Sequence, residues 1–434
     1  MFRIQLICLI AFCFTFLIEA SLSGQTRQDL VKESVALIGA ASIAGDSLDL
    51  SDLSEVLIPE SGTTDDVIAP GTEFTNNMLG GISAIAWTGE GDRYWCLPDR
   101  GPLDGAVDWS CRVHQVRISI NSEDDQHPDI TTELVSTVLL KDKRRIPYTG
   151  LASSVVASET HTSRLDPEGI RVGDDGNLFI SDEYGPRLIE FSPNGEFIRE
   201  FRMPNRLLVE NPDVSKPTEN PKNVSGRQSN RGMEGLAIAP DGKRLFGLMQ
   251  SPLLQDSFRM LPTDKPTGLN CRLPVFETTG ECCQEYVYSL DDGSNKLNEI
   301  LACDSNSFIA IERDGLAGEE AQFKKLVLVS VADASDVRSV EKLPPRELDK
   351  EIKSVSKRVL IDLLDPKWNL AGTQMPEKIE GLAFGPDFSN GDRLLLVASD
   401  NDFIRDNATM IYLFRVPEEA LVFDGSKKVS AISR

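Results

Sequence analysis

The chain has 434 residues, with 68 acidic against 45 basic side chains and a formal charge of −23. That balance argues against a surface for nucleic acid or anionic lipid, either of which needs clustered Lys and Arg. It is compatible with cation binding without requiring it, and the length is enough for one large repeat-built domain.

Arg3 precedes an apolar run from Ile4 to Ile18, followed by Ala20-Ser21-Leu22-Ser23-Gly24. The run suits the core of a signal peptide and falls short of the roughly 20 apolar residues that span a bilayer. Residues 1–24 are therefore expected to be a cleaved export signal, the alternative being an uncleaved anchor, and residues 25–434 the mature domain. The protein is expected to be periplasmic or secreted, with no stable membrane insertion after cleavage. Cys8 and Cys13 leave with the signal; Cys96, Cys111, Cys271, Cys282, Cys283 and Cys303 remain, an even set in an oxidising compartment. Cys96–Cys111 is the first pairing expected, with Cys282 or Cys283 returning to Cys271. A zinc site is less supported, because no second spaced Cys or His pair accompanies them.

Four segments then repeat one pattern: Gly80-Gly81-Ile82-Ser83 to Asp99-Arg100, Glu168-Gly169-Ile170 to Asp182-Glu183, Glu234-Gly235-Leu236 to Gln250, and Glu380-Gly381-Leu382 to Asp400-Asn401. Each is a strand, a Gly-containing turn and a second strand, and such units must stack to bury a core. Residues 168–203 show a nearly whole unit, a four-stranded meander of Glu168–Val172, Leu178–Ser181, Leu188–Phe191 and Phe197–Phe201. The fold expected is all-β, a single propeller of four-stranded antiparallel blades. Five can be counted, and the long insertions leave room for a sixth. Blade one holds Ile82–Trp87, Arg93–Leu97, His114–Ile120 and Thr132–Leu140. Blade three uses Gly235–Ile238, Arg244–Leu248 and Tyr286–Leu290; blade four uses Glu299–Cys303, Ser307–Glu312, Lys325–Val331 and Lys357–Leu363. The last, with Gly381–Phe384, Arg393–Ala398 and Met410–Val416, lacks an outer strand, and Ser34–Ala41 is expected to supply it and close the ring. Segments 204–230, 253–283, 333–356 and 364–378 read as surface loops, with a short charged helix near Lys350–Lys357.

Glu168, Glu234 and Glu380 each precede Gly at the start of an innermost strand, so they should approach the central channel. Asp99, Asp182, Glu183, Glu312, Asp314, Asp400 and Asp402 follow second strands. Converging carboxylates persist only with a cation, with Arg partners, or protonated. Arg100, Arg231 and Arg313 lie in the same motifs, and hard oxygen ligands select Ca²⁺ or Mg²⁺. Asp and Gly are also ordinary turn residues, but that does not explain three Glu-Gly pairs at one place in the repeat. No Gly-x-Ser-x-Gly elbow, P-loop or dinucleotide fingerprint occurs. His114 sits in an expected strand, His127 in an acidic loop, and His161 shortly before Glu168.

At Asp99-Arg100-Gly101, Asp166-Pro167-Glu168-Gly169-Ile170, Ser181-Asp182-Glu183-Tyr184-Gly185, Asn230-Arg231-Gly232-Met233-Glu234-Gly235, Ile311-Glu312-Arg313-Asp314, Glu380-Gly381-Leu382 and Asp400-Asn401-Asp402-Phe403, the chain resembles the phytase-like family, described as having esterase-like activity of phytase. The resemblance runs across roughly residues 77–416 and implies an exported β-propeller that hydrolyses esters or phosphoesters. Gln250 departs from it, standing where the other repeats carry acids. The Glu-Gly and Ser-Asp elements are also similar, more loosely, to gluconolactonase-like propellers, in which a few carboxylates and an Asn hold one divalent cation.

The function expected is metal-assisted hydrolysis of phosphoesters, phytase- or phosphodiesterase-like, at an acidic propeller mouth, on a small anionic or ester substrate. Ca²⁺ would be held by Glu168, Asp182, Glu234, Glu380 and Asp400. Arg100, Arg231 and Arg313 would bind phosphate oxygens, with Glu183 or Glu312 as general base. The alternatives are a lactonase or carboxylesterase on the same metal site, and a non-catalytic Ca²⁺-stabilised binding module.

Overall fold

Short β-branched and aromatic runs, cut by turns such as Asp174-Asp175-Gly176-Asn177 and Pro193-Asn194-Gly195, zip into hairpins, and each hairpin recruits the next. A computed structural model describes residues 34–60, 73–121, 128–154, 164–213, 216–261 and 265–423. The expected export signal with Cys8 and Cys13, and His127 and His161, lie outside these. No described helix is long and apolar enough to cross a membrane.

Five four-stranded antiparallel sheets form a five-bladed propeller. From the inner strand outward, blade 1 is Ala84–Trp87, Arg93–Leu97, Arg112–Asn121 and Asp129–Leu139; blade 2 is Pro167–Val172, Leu178–Asp182, Arg187–Phe191 and Phe197–Glu200. Blade 3 is Met233–Ile238, Arg244–Met249, Asn270–Glu277 and Cys282–Ser289, and blade 4 is Lys296–Ala302, Ser307–Arg313, Lys324–Ser330 and Ser356–Asp362. Blade 5 combines Lys378–Phe384, Arg393–Asp400 and Thr409–Val416 with the N-terminal strand Ala36–Ile43. That strand runs antiparallel to Thr409–Val416, from Ala36 opposite Arg415 to Ile43 opposite Thr409, so the ring closes as expected. No sixth blade occurs among the described residues.

One loop assignment and one expected helix fail. The segment 253–283 contains a small hairpin (Phe258–Met260 with Lys265–Thr267) and the whole third strand of blade 3. Pro274 disguised that strand, since Pro rarely sits inside a sheet. Here the ladder to the second strand stops at Val275, immediately before Pro274. No helix forms at Lys350–Lys357. Residues 333–356 instead lie along the outer edge of blade 3, with the amides of Val337 and Val355 donating to Glu285 O and Val287 O, which covers an otherwise open strand edge.

Each blade boundary has its own apolar core. Phe384, Leu395 and Phe414 pack against Leu326 and Leu328 between blades 4 and 5, and Phe246 packs against Phe308 between blades 3 and 4. Cys111 sits in the core between blades 1 and 2, Cys96 in that between blades 5 and 1. The two thiols thus occupy opposite faces of one sheet, which is why the expected bridge is not made. All six described cysteines are free thiols.

Arg171 of blade 2 crosses the channel axis. Its Nη1 donates to Ile85 O of blade 1 (3.2 Å), and its Nη2 donates to Ile300 O of blade 4 (2.7 Å) and pairs with Glu299 (3.0 Å). Burial pushes the Glu299 carboxyl up to about 7 against the pull of Arg171 and two backbone amides. This rivet plugs the channel. Arg171→Ala leaves the acid buried without its counter-charge and should lower stability by about 3–5 kcal/mol in denaturant melts.

Candidate functional site at the propeller mouth

The site is built by a register device repeated in four blades. Pro167, Met233, Leu297 and Ile379, at the start of the inner strands, pair with Asp182, Met249, Glu312 and Ser399 on the second strands. A β-bulge follows each time, at Glu168, Glu234, Asn298-Glu299 and Glu380. A bulge adds one unpaired residue and re-aims its side chain. The matching position in blade 1 is Ser83, before the pair Ala84–Leu97. A first ring around the axis therefore reads Ser83, Glu168, Glu234, Asn298 and Glu380. The Glu-Gly spelling follows from crowding: a Cβ on Gly169 would meet Glu234 O at 2.9 Å, and one on Gly235 would meet Ile300 N at 2.8 Å, each on the next blade's inner strand.

The same register sorts the second-strand residues by face. Asp182 and Glu312 sit level with Met249 and Ser399, whereas the next residue along gives the second ring: Asp99, Glu183, Gln250, Arg313 and Asp400. A one-residue step reverses the direction of a strand side chain. This step corrects two of the expected site residues. Asp182 turns into its own loop, where Oδ1 accepts from Asp166 N (2.7 Å) and Oδ2 from Gly185 N (2.8 Å) and Arg187 Nε (2.7 Å). Glu312 accepts from Asp291 N (2.7 Å), Asn295 Nδ2 (2.8 Å), Tyr288 Oη (2.8 Å) and Lys357 Nζ (3.3 Å). Neither lines the central cavity. Glu312→Ala should cost about 2–3 kcal/mol in a denaturant melt.

The two rings interlock. Asn298 Nδ2 donates to Glu234 Oε1 (2.8 Å) and Glu380 Oε1 (3.0 Å), Gln250 Nε2 to Glu234 Oε1 (2.7 Å), and Arg313 Nη2 to Glu380 Oε1 (2.6 Å). The buried atoms Glu234 Oε2, Asn298 Oδ1, Gln250 Oε1 and Ser83 Oγ have no hydrogen-bond partner. Buried polar atoms are normally satisfied, so this concentration marks a place prepared for something else. Glu168, Glu183 and Glu234 place one oxygen each within 4.8 Å of one another, as do Asp99, Asp166 and Glu168, and Asp99, Asp400 and Asp402. Burial first, and then neighbouring carboxylates, holds Glu168 and Glu234 well above the usual carboxylate range. Burial likewise raises Asp166 and Asp400, against the pull of Arg100 and Lys378 respectively. An all-oxygen set of this kind fits a hard divalent cation.

Above the rings lies a cavity of about 880 Å³. The cations around it divide into two kinds. Arg100 is buried and bonded to Asp166, Asn230 and Asp104, Arg313 is bonded to Glu380, and Lys378 pairs with Asp402, Asp400 (3.4 Å) and Asp99 (3.6 Å). Arg231 holds only Ser251 Oγ (3.2 Å), with no carboxylate in ion-pair range, and Lys296 makes no ion pair among the described residues. Burial, reinforced by Arg313 and Arg231, pulls the Lys296 ammonium down to about 8. His114, bonded through Nδ1 to Thr137 Oγ1 (3.0 Å) and through Nε2 to Leu79 O (3.1 Å), is a core histidine.

The structure thus brings Glu168, Glu183, Glu234, Glu380, Asp400, Arg100, Arg231 and Arg313 to one mouth and leaves Asp182 and Glu312 out. Ser83, Asp166, Lys296, Asn298 and Lys378 were not singled out from the sequence. Asn298 has a signal in retrospect: Leu297-Asn298-Glu299-Ile300 occupies the place of Met233-Glu234-Gly235-Leu236, with Asn-Glu for Glu-Gly.

The sequence model of the phytase-like family, described as having esterase-like activity of phytase, matches residues 77–403. The chain belongs to that family. The match spans all five inner strands and both rings. A relative from Arthroderma benhamiae, described as an uncharacterized secreted protein, is 25% identical over 406 residues, covering 73% of this chain and 79% of the relative. Among solved structures, similarity is found to hydrazine synthase of Kuenenia stuttgartiensis (TM-score 0.33, 11% identity, 77% of this chain and 80% of that one). It is also found to virginiamycin B lyase of Staphylococcus aureus (TM-score 0.30, 11% identity, 77% and 95%) and to the Dos1 propeller (TM-score 0.31, 7% identity, 89% and 96%).

Proposed function

We propose that this phytase-like protein is an exported, cation-assisted hydrolase of phosphoesters. The observation that carries the reading is the pairing, in one cavity, of the Glu168–Glu183–Glu234 oxygen set with two cations, Arg231 and Lys296, that make no ion pair among the described residues. A divalent ion, with Ca²⁺ the favoured candidate, would be held by Glu168, Glu183 and Glu234, with Asn298 Oδ1 and Glu380 beside them. When bound it would supply Lewis acidity and a water of lowered pKa. Arg231 and Lys296 bind the non-bridging oxygens of the ester and stabilise the charge that grows on them. Glu183 takes the proton of the attacking water. Water oxygen bonds to phosphorus, the bond to the alcohol oxygen breaks, and the proton is returned to that leaving oxygen. Arg100, locked by Asp166 and Asp104, is a positioning residue that fixes the Asp99 loop. Export rests on the apolar N-terminal run and on the secreted relative.

A lactone is the second reading, favoured by the Asn298 amide within the glutamate ring. A neutral lactone, however, leaves Arg231 and Lys296 without a counter-charge. The deciding experiment is release of nitrophenol from aryl phosphate mono- and diesters by the purified mature protein, first with Ca²⁺ and then with chelator. Release that the chelator abolishes supports the proposal. No release in either condition, or turnover of a lactone alone, rejects it.

A further inference from the structure

We infer that the mouth selects an ester with a single phosphoryl group and an apolar, flat substituent, and that it excludes polyphosphorylated substrates such as phytate itself. This deepens the proposed function and rests on it for the catalytic step, but it concerns recognition and is tested separately.

Charge is the first argument. The cavity is lined by nine carboxylate and six cationic side chains. Three of those cations, Arg100, Arg313 and Lys378, are tied to carboxylates, Arg405 is exposed at the rim, and Arg231 and Lys296 lie inside the mouth without an ion pair among the described residues. Arg231 and Lys296 together can neutralise one phosphoryl group. Each phosphate of phytate carries about −1.5 to −2 charges at pH 7, so a second or third such group would face the remaining carboxylates with only the single charge of Arg405, exposed at the rim, to offset it. Like charges brought together in a half-buried cavity are strongly repelled.

Shape is the second. One lip of the cavity is apolar, formed by Phe74, Leu103, Phe403 and Ile404. Leu103 and Ile404 are its more exposed part; Phe74 and Phe403 back them from a buried cluster with Trp109, and the Phe403 ring stands edge-on to Trp109 at 5.1 Å. This lip is held in an unusual backbone. Five of the seven described non-glycine residues with positive φ line the cavity: Leu103, Asp104, Asn230, Asp402 and Phe403. Left-handed backbone at residues like Leu and Phe persists only where the surroundings impose it, and it gathers at functional sites. Here it is imposed by Arg100 on Asp104, and by Asn401 Oδ1 accepting from Phe403 N (3.0 Å) and Asp400 Oδ1 accepting from Asp402 N (3.0 Å). A polar polyphosphate gains nothing from such a lip, whereas an aryl group gains apolar burial.

The test is calorimetric binding of three non-hydrolysable anions to the Ca²⁺-loaded protein: phenylphosphonate, methylphosphonate and inositol hexakissulfate. Phenylphosphonate should bind about tenfold or more tighter than methylphosphonate, a difference of about 1.4 kcal/mol, and the hexakissulfate should neither bind nor compete. Lys296→Met should weaken both phosphonates alike. Phe403→Leu and Leu103→Ala, either of which serves if the other fails to fold, should erase the phenyl preference only. Equal affinity for the two phosphonates, no binding of either, or tight hexakissulfate binding overturns the inference. Phytate hydrolysis would overturn it while sparing the proposed function. Phenyl-selective binding without turnover of any ester would do the reverse.

Discussion

Glu234→Gln should reduce phosphoester turnover by at least about 10³-fold and abolish Ca²⁺ binding, with the melting temperature of the metal-free protein unchanged or raised. The geometry makes this substitution clean. Glu234 Oε1 already accepts from Gln250 and Asn298, and the glutamine oxygen keeps both bonds. The amide nitrogen replaces Oε2, the one oxygen that has no partner. Only charge and ligand capacity are lost, and the lost charge is one the neighbouring Glu183 and Glu380 disfavour. Turnover within tenfold of the parent would remove Glu234 from the site.

The second large effect is a stability that depends jointly on pH and cation. Glu168, Glu234, Asp166 and Asp400 are raised well above the ordinary values of 4.5 for Glu and 3.8 for Asp, and burial lifts Glu299 to about 7. Acids whose folded values are raised stabilise fully at pH below their unfolded values, and that stabilisation is lost as pH climbs through the folded ones. The chelated protein should therefore melt several degrees lower at pH 7.5 than at pH 5, since one pK unit is worth about 1.4 kcal/mol. This window stays below the value of about 8 for Lys296, whose titration has the opposite sign; His114, pulled down to about 4 by burial, opposes the trend within it but is one group against five acids. Saturating Ca²⁺ should flatten the dependence, because the ion replaces the protons at Glu168 and Glu234, and its binding should release protons. A chelated protein as stable at pH 7.5 as at pH 5 would contradict the burial of these acids around one point.

The periodic part of the architecture was legible because it is local. Four short strands and their Asp-Gly or Asn-Gly turns spell out blade 2 in one stretch, and the missing outer strand of blade 5 pointed to the N-terminal segment. The third strand of blade 3 was not legible, because Pro274 and a long preceding hairpin insertion break the pattern that the eye follows. In the site, the Glu-Gly pairs were read rightly as channel-facing positions, since the glycine reports the crowding. Asp182 and Glu312 were misread because the bulge shifts the register by one residue, and nothing in the sequence marks which neighbour of the pair then faces the axis. Lys296 and Lys378 begin inner strands in which a lone Lys carries no motif; only the assembled ring puts them beside the carboxylates.

The closing strand has a consequence for how the chain is made. Ala36–Ile43 emerges first and finds its partner, Thr409–Val416, only after the rest of the domain exists. Until then the third strand of blade 5 shows an open edge, and the contact that seals the circle spans nearly the entire sequence, the slowest kind to form. A propeller synthesised N-terminus first therefore holds its first strand unmatched until the chain is nearly finished. Assembly is gated by the last blade to arrive, and a chaperone that shields residues 36–43 would have its greatest influence in that interval.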